Sequence, residues 1–523
     1  MKRRYWRPVD WTHAAPLAAL VAAHATVQSY LLLQSGGLAG FSADSADRII
    51  LAFIWGGHPT FFIQPSAWLP VFFWIYGTLL RFWLDPLWAP IVFTVVLSNL
   101  SLLALYGICR RIGGGREGSL LAAAAAGFMP LSLQVSGQPY FDPLFILILL
   151  CAIHAWLRSE GGRRRGWHLA SAAAMAAAAL TRFEGWLFVA AWLALTRRRP
   201  GLRLRLLALA PIALYLLHEV AAYGGFEFLR LQRDRGLVSV PPLDWRVLDA
   251  LWTKVFADGL LLPFILAAFP ALDFRRAEVR ETLGLVWLPF LAFIGMTQFL
   301  GFPLPFEHLA PFLALQMIPL APALDRALEA WSSSLRAWAA DWDRPARLAL
   351  ALVLILGVTV GAMMRTCQPP CSRAPIGFVK ELGQKLKPGE RFLLELPLVG
   401  SHNQDADERF EDPRMLQLAA LPTEMEFDRI FRYRHGSTDD FFTLDTADPS
   451  VLELPEAELG RELKRLSVRL ILARREHKKL ERLGWRPAGE LRHYLFYARA
   501  EDRLYPLLRS GMEPHGGRPG RKT

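Results

Sequence analysis

The sequence predicts a mainly α-helical protein. Its fold class is a polytopic transmembrane helical bundle of about eleven spans, with interfacial helices in the first external loop and a small external C-terminal α/β domain. Three observations carry this. Of 523 residues, 53% are apolar, and the mean hydropathy is +0.25. The long apolar runs all lie before residue 365. The formal charge of +12 is concentrated there too: residues 1–365 hold 32 Lys and Arg against 22 Asp and Glu, whereas residues 366–523 hold 27 against 25. The expected organisation is a transmembrane region at 1–365, an extracytoplasmic α/β domain at 366–512 and a disordered tail at 513–523.

A helix crossing ~30 Å of hydrocarbon needs ~20 mostly apolar residues. Runs of this kind fall at 13–34, 87–109, 118–136, 140–157, 167–181, 183–196, 205–223, 255–272, 282–300, 308–324 and 347–364. The fifth and sixth are short and abut each other. Lys and Arg in short loops mark the cytosolic side. The N-terminus and segments 110–117, 158–166, 197–205, 273–281 and 325–347 together carry 23 basic residues, and the alternate set carries 9. The N-terminus is therefore expected on the cytosolic side of the membrane, and the C-terminal region outside. Lys2, Arg3, Arg4 and Arg7 precede a first run too long for a cleaved leader, which favours a retained signal anchor. Basic residues that alternate with spans form no continuous basic face, so the charge reports topology and excludes nucleic acid as the partner.

The first external loop, about 36–86, is too apolar for free solvent and too broken by Gly and Pro to span. Ser45–Trp55 and Ala67–Phe82 are expected as amphipathic helices at the membrane interface. Asp44 and Asp47 open the first of them, three residues apart and so on one helical face. Ser42, Asp44 or Ser45 also suits the N-cap, which is the plain structural alternative. Further polar residues stand at span ends on the same side: Asp142 in QPYFDP, Arg182 and Glu184 in LTRFEGW, Glu307 and His308 in GFPLPFEHLAP. Ionisable groups at such depth are candidates for function. Their convergence predicts one external cavity and not a transmembrane pore. A transporter or lipid-linked-sugar flippase would show polar residues near the midplane and paired broken helices; the candidates for that are His218, Glu219, Asn99 and Ser98. A non-catalytic scaffold for envelope glycan assembly is the third reading.

Cys109 and Cys151 lie in or beside spans. Cys367 and Cys371 lie just beyond the last one, where a local disulfide and two free thiols stand as equal alternatives. In the C-terminal region, Ile376–Leu386 and His477–Leu483 read as helices. Arg391–Pro397, Val468–Ala473 and His493–Ala498 read as strands, and 401–415 as a loop.

The arrangement resembles the GT-C superfamily of integral-membrane glycosyltransferases, which includes protein O-mannosyltransferases and aminoarabinose transferases. FSADSADRIILAFIWGGHP is similar to that group's acidic first loop, and QPSAWLPVFFWIYG to the aromatic segment after it. QPYFDPLFILILLCAIHAW, LTRFEGW and FEHLAPFLALQMIPLAP resemble its later external segments. The sequence departs from the common pattern where Asp44 is not followed by Glu and where His308 stands in place of Arg. The resemblance implies transfer of a sugar from a polyprenyl-phosphate donor to an external glycan, lipid or protein hydroxyl, with inversion. Asp44 is then the general base, Asp47 its second and Asp142 the group that orients the acceptor. Arg182 and His308, with Arg48 and His58 in reserve, meet the leaving phosphate, and Glu184 and Glu307 complete the cavity. No metal is required, since the donor phosphate is already substituted; Mg²⁺ or Mn²⁺ on Asp44, Asp47 and Asp142 is the alternative.

Overall fold

The computed structural model describes residues 11–34, 43–57, 59–62, 68–159, 165–195, 201–226, 274–300, 306–336, 391–394, 454–473, 476–491 and 494–511, with isolated positions at 272, 352, 355, 385 and 452. Two compact units are present. One comprises Met1–Gly40, His58–Leu79 and Trp88–Pro370; the other comprises Phe41–Gly57, Leu80–Leu87 and Cys371–Thr523.

The first unit holds helices α1 (Trp11–Gln34), most of α3 (Val71–Phe82), α4 (Trp88–Arg111), α5 (Arg116–Phe128), α6 (Pro130–Ser136), α7 (Phe141–Ser159), α8 (Arg165–Ala179), α9 (Glu184–Leu195), α10 (Leu202–Tyr223), α11 (Ala277–Leu300) and α12 (Ala310–Arg336). Among the described residues, five are long and apolar enough to cross a membrane, and a sixth crossing arises if α5 and α6 form one bent span. Of the eleven expected runs, 255–272 (apart from position 272) and nearly all of 347–364 lie outside the described residues. The run at 118–136 is not one straight helix. It bends by 64° between α5 and α6. Pro130 has no N–H to continue the ladder, and its ring drives Met129 out of the helical region, to φ −57° and ψ 132°.

A bend in an apolar environment frees backbone carbonyls that must be bonded again. Polar side chains from α1 and α4 do this. His24 Nε2 lies 3.2 Å from the Gly127 carbonyl, and its Nδ1 lies 3.2 Å from Asn99 Oδ1. Asn99 donates to Gln28 Oε1 at 3.0 Å, and Gln28 donates to the Ser136 carbonyl at 3.4 Å. Ser98 donates to the same carbonyl at 3.3 Å. Of the two residues that the sequence offers as transport candidates in this helix, Ser98 bonds the broken span directly, and Asn99 braces the His24 and Gln28 side chains that reach it.

Small residues set how closely helices approach. The run from Ala122 to Ala126 is buried in the main core beside Ala321 and Leu324 of α12. A Cβ on Gly118 would lie 2.5 Å from the Ala321 carbonyl oxygen, so only glycine lets α5 cross α12 there. Asp325 closes the crossing by accepting from the Gly118 amide at 3.1 Å.

The second unit contains α2 (Ala43–Gly57) and a four-stranded sheet of order β1-β2-β4-β3. Its strands are β1 (Arg391–Leu394), β2 (Val468–Ala473), β3 (Trp485–Leu491) and β4 (Tyr494–Arg499). β1 pairs parallel with β2; β4 pairs antiparallel with β2 and β3. Three strands fall where the sequence places them. β3 does not announce itself, because Pro487 and Gly489 interrupt its alternation. Among the described residues it is an edge strand, and its register shifts between those two residues, the setting in which a sheet tolerates proline. The helix Glu456–Arg465 buries Leu459 and Leu463, one turn apart, against this sheet's core. The expected helix Ile376–Leu386 (apart from position 385), the loop 401–415, the tail 513–523 and Cys367 and Cys371 lie outside the described residues. Of the two helices expected in the first external loop, α2 matches the first closely. α3 begins at Val71, later than Ala67, because Pro70 serves as its first-turn boundary, with the Trp74 amide bonded to the Pro70 carbonyl at 3.0 Å.

Candidate active site

The site grows from three helix starts. Asp142 is the second residue of α7, Glu184 the first of α9, and His308 sits in the 3-10 turn Phe306–Leu309 that leads into α12. The N-terminal ends of helices carry partial positive charge and exposed amides, so carboxylates are stabilised there. Arg182 lies in the turn joining α8 to α9. That turn is tight: the Arg182 amide bonds back to Ala178 O at 3.2 Å and the Gly185 amide to Arg182 O at 2.9 Å. Gly185 is required by it, because a Cβ there would lie 2.3 Å from the Ala178 carbonyl oxygen.

These four side chains meet. Arg182 Nη1 lies 2.7 Å from Asp142 Oδ1, and Nη2 lies 2.9 Å from Glu184 Oε1. Arg182 Nε donates to Glu184 Oε2 at 3.2 Å, so Glu184 is held through a two-point fork. His308 Nδ1 contacts the same Glu184 Oε1. Asp142 is fully buried, and Arg182 and Glu184 are 7% exposed, whereas the His308 side chain is 32% exposed. His308 is thus the member of the cluster that faces outward. Three nitrogens of Arg182 face carboxylate oxygens, which makes the guanidinium a brace across the helix starts as well as a source of positive charge.

An aromatic wall stands beside Asp142. Phe141 packs edge-on to Phe72 with ring centroids 4.5 Å apart, and within 6.5 Å of Trp68. Phe72 stacks on Tyr76 at 4.2 Å, and Tyr76 bonds Thr94 of α4 at 2.7 Å. The Val71 amide donates to the Leu180 carbonyl at 3.1 Å, which ties the start of α3 to the α8–α9 turn. His308 lies parallel to Phe293 of α11, with centroids 6.3 Å apart.

Of the residues proposed from the sequence, the structure brings together Asp142, Arg182, Glu184 and His308. Glu307 is the neighbour of His308 in the 3-10 turn. Asp44, Asp47 and Arg48 all lie on α2, in the second unit. His58 lies outside the described residues. Among the described residues, no group of three or more His, Cys, Asp or Glu is arranged to hold a metal. The segment LTRFEGW contains Gly185 without showing its role, and the aromatic wall is not marked in the sequence. The signal for Gly185 was present as a glycine directly after an acid at a helix start; aromatic residues, by contrast, are too common along these spans to single out four of them.

Residues 59–222 match the sequence model of the family described as dolichyl-phosphate-mannose-protein mannosyltransferase. No curated protein matches the chain in sequence. Among solved structures, the chain is similar to ArnT from Cupriavidus metallidurans bound to undecaprenyl phosphate. The TM-score is 0.58 and the identity 14%, over 93% of this chain and 98% of that one. It is similar also to ArnT from the same organism in the apo state, with TM-score 0.56 and 15% identity over 96% and 99% of the two chains. The resemblance to the GT-C glycosyltransferases is therefore borne out, by a matched family segment across the α3–α10 region and by a fold shared with ArnT along nearly the whole chain.

Proposed function

We propose that this protein is a membrane glycosyltransferase. It moves a sugar from a polyprenyl-phosphate donor to an acceptor hydroxyl on the extracytoplasmic face of a bacterial cytoplasmic membrane. The observation that carries the reading is the buried Asp142–Arg182–Glu184 cluster with His308 at its open edge, in a fold whose similar ArnT structure holds undecaprenyl phosphate. In this reading residues 1–365 are catalytic, and 366–512 form an external domain that binds the acceptor or covers the cavity.

The acceptor hydroxyl oxygen attacks the anomeric carbon. The bond from that carbon to the phosphate oxygen breaks, the lipid phosphate leaves with the electron pair, and the configuration inverts. The hydroxyl proton passes to Asp44 as general base, with Asp47 as the alternative. Asp142, fixed by Arg182, accepts a hydrogen bond that orients the acceptor. His308 and Arg182 offset the charge that grows on the leaving phosphate, with Arg48 and His58 as further cations of the first loop. A cluster already braced needs little rearrangement when that charge appears.

The test is transfer from a radiolabelled polyprenyl-phosphate sugar by purified protein in lipid vesicles. Asp44→Asn is expected to abolish transfer and to leave polyprenyl-phosphate binding unchanged. Transfer that persists in both Asp44→Asn and Asp47→Asn removes the first loop from the proton transfer. Movement of a lipid-linked sugar across the vesicle without transfer replaces the enzyme by a transporter.

A further inference from the structure

Glu219 is a fully buried carboxylate near the end of α10, a mostly apolar helix in which Tyr215, His218 and Tyr223 are its polar neighbours. The mechanism above does not use it. An ionisable residue inside such a helix costs free energy to place, so its partner is the first question. The partner is one turn back: Tyr215, also buried, forms a side-chain hydrogen bond with Glu219, the phenol donating to the carboxylate. A residue pair four apart lies on one face of the helix.

That face is turned toward the candidate site. The Tyr215 ring stands 5.9 Å from Phe183 and 6.1 Å from Trp186, centroid to centroid. Phe183 and Trp186 bracket Glu184 in sequence and belong to the turn that carries Arg182. Leu69, Phe62 and Leu216 complete the same apolar cluster. Phe62 also stacks on His218, the residue just before Glu219 on α10, at 4.3 Å and 17°. Trp186 is fixed a second time by donating to the Ala179 carbonyl at 3.0 Å. The α8–α9 turn is therefore gripped from two sides. Asp142 holds it through Arg182 on one, and Tyr215 holds it through Phe183 and Trp186 on the other.

We infer that Glu219 is a positioning residue for the glycosyl-transfer site: by fixing the Tyr215 hydroxyl it locks the ring that sets the Arg182–Glu184 turn. This inference rests on the proposed function. Its action is indirect, through one hydrogen bond and one set of ring contacts, so the chemistry predicts a specific pattern among variants. Glu219→Gln keeps an amide oxygen as acceptor and retains activity near wild type. Glu219→Leu removes the acceptor, and Tyr215→Phe removes the donor while keeping the ring. Each lowers kcat by about tenfold, since small misplacements at a reacting centre carry penalties of that order. KM for the donor stays within about twofold, because lipid binding draws on other contacts. The double variant is no slower than the worse single one, as befits two ends of one interaction.

The experiment measures kcat and KM of the four variants in vesicles, together with their melting temperatures in detergent. Additive losses in the double variant overturn the inference, as do losses that track melting temperature alone. Glu219→Gln as slow as Glu219→Leu also overturns it, since charge and not hydrogen bonding would then matter. A wild-type protein that transfers no sugar defeats the proposed function itself, which keeps the two failures apart.

Discussion

Replacing Arg182 by Met tests the site most directly. The substitution keeps an unbranched apolar side chain and removes the guanidinium. It leaves Asp142 and Glu184, which are fully buried and 7% exposed, without the cation that now stands 2.7 and 2.9 Å from them. A buried charge-assisted hydrogen bond contributes ~1.5–3 kcal/mol, and three nitrogen–oxygen contacts are lost together. They share one cation, so they do not add fully; breaking a buried pair by removing one partner costs about 3–5 kcal/mol. Taking ~4 kcal/mol and the shallow slope of about 2 °C per kcal/mol that suits a large domain, the melting temperature falls by roughly 8 °C. Differential scanning fluorimetry in detergent reads this, and transfer in vesicles reads the functional loss. The reasoning also predicts a rescue. Arg182→Met combined with Glu184→Gln leaves one buried carboxylate fewer and recovers a substantial part of the melting temperature, though not of the activity. Arg182→Lys, a single point charge in place of a fork, falls between wild type and Met. If Arg182→Met melts within about 2 °C of wild type, the cluster is not a structural brace and the argument fails.

The other predictions concern how the site is held. Gly185→Ala places a Cβ 2.3 Å from the Ala178 carbonyl oxygen; transfer is expected to drop sharply and stability by ~1–3 kcal/mol, read by kinetics and fluorimetry on the same preparation. His24→Leu strips a donor from the Gly127 carbonyl and a partner from Asn99. It is expected to lower stability by ~1–3 kcal/mol while KM for the donor is unchanged. Pro487→Val on edge strand β3 should be tolerated, with the melting temperature the same or slightly raised, because no central ladder bond depends on that position.

Local chemistry was legible one residue at a time. Pro130 sits deep in an apolar run, but hydropathy alone makes that run a single span because it is continuous across the break. β3 is illegible in the sequence because Pro487 and Gly489 spoil the alternation, and only its position at the edge of the described sheet makes them acceptable. Ser98 and Asn99 stand in the sequence as candidates for a transport path. Their actual partners are a carbonyl at the end of α6 and a glutamine on α1, contacts that depend on which helices are neighbours. Asp142, Arg182, Glu184 and His308 each stand out in the sequence for a simple reason: charged or titratable groups at span ends are costly unless they are used or paired.

By itself the sequence determined that the chain is helical and apolar, that its basic residues alternate with its spans, and that a few polar side chains stand at corresponding span ends. These follow from composition and from the order of residues along one helix at a time. Only the tertiary structure decided which of those ends are neighbours. An apolar stretch specifies a helix but not the face it presents. Adjacency depends on small residues such as Gly118 and Gly185 and on side-chain shape across segments far apart in sequence. That is why one guanidinium could be found bridging two carboxylates only after α7 and α9 were brought together, and why Tyr215 became part of the site only once α10 lay against the turn beside Glu184.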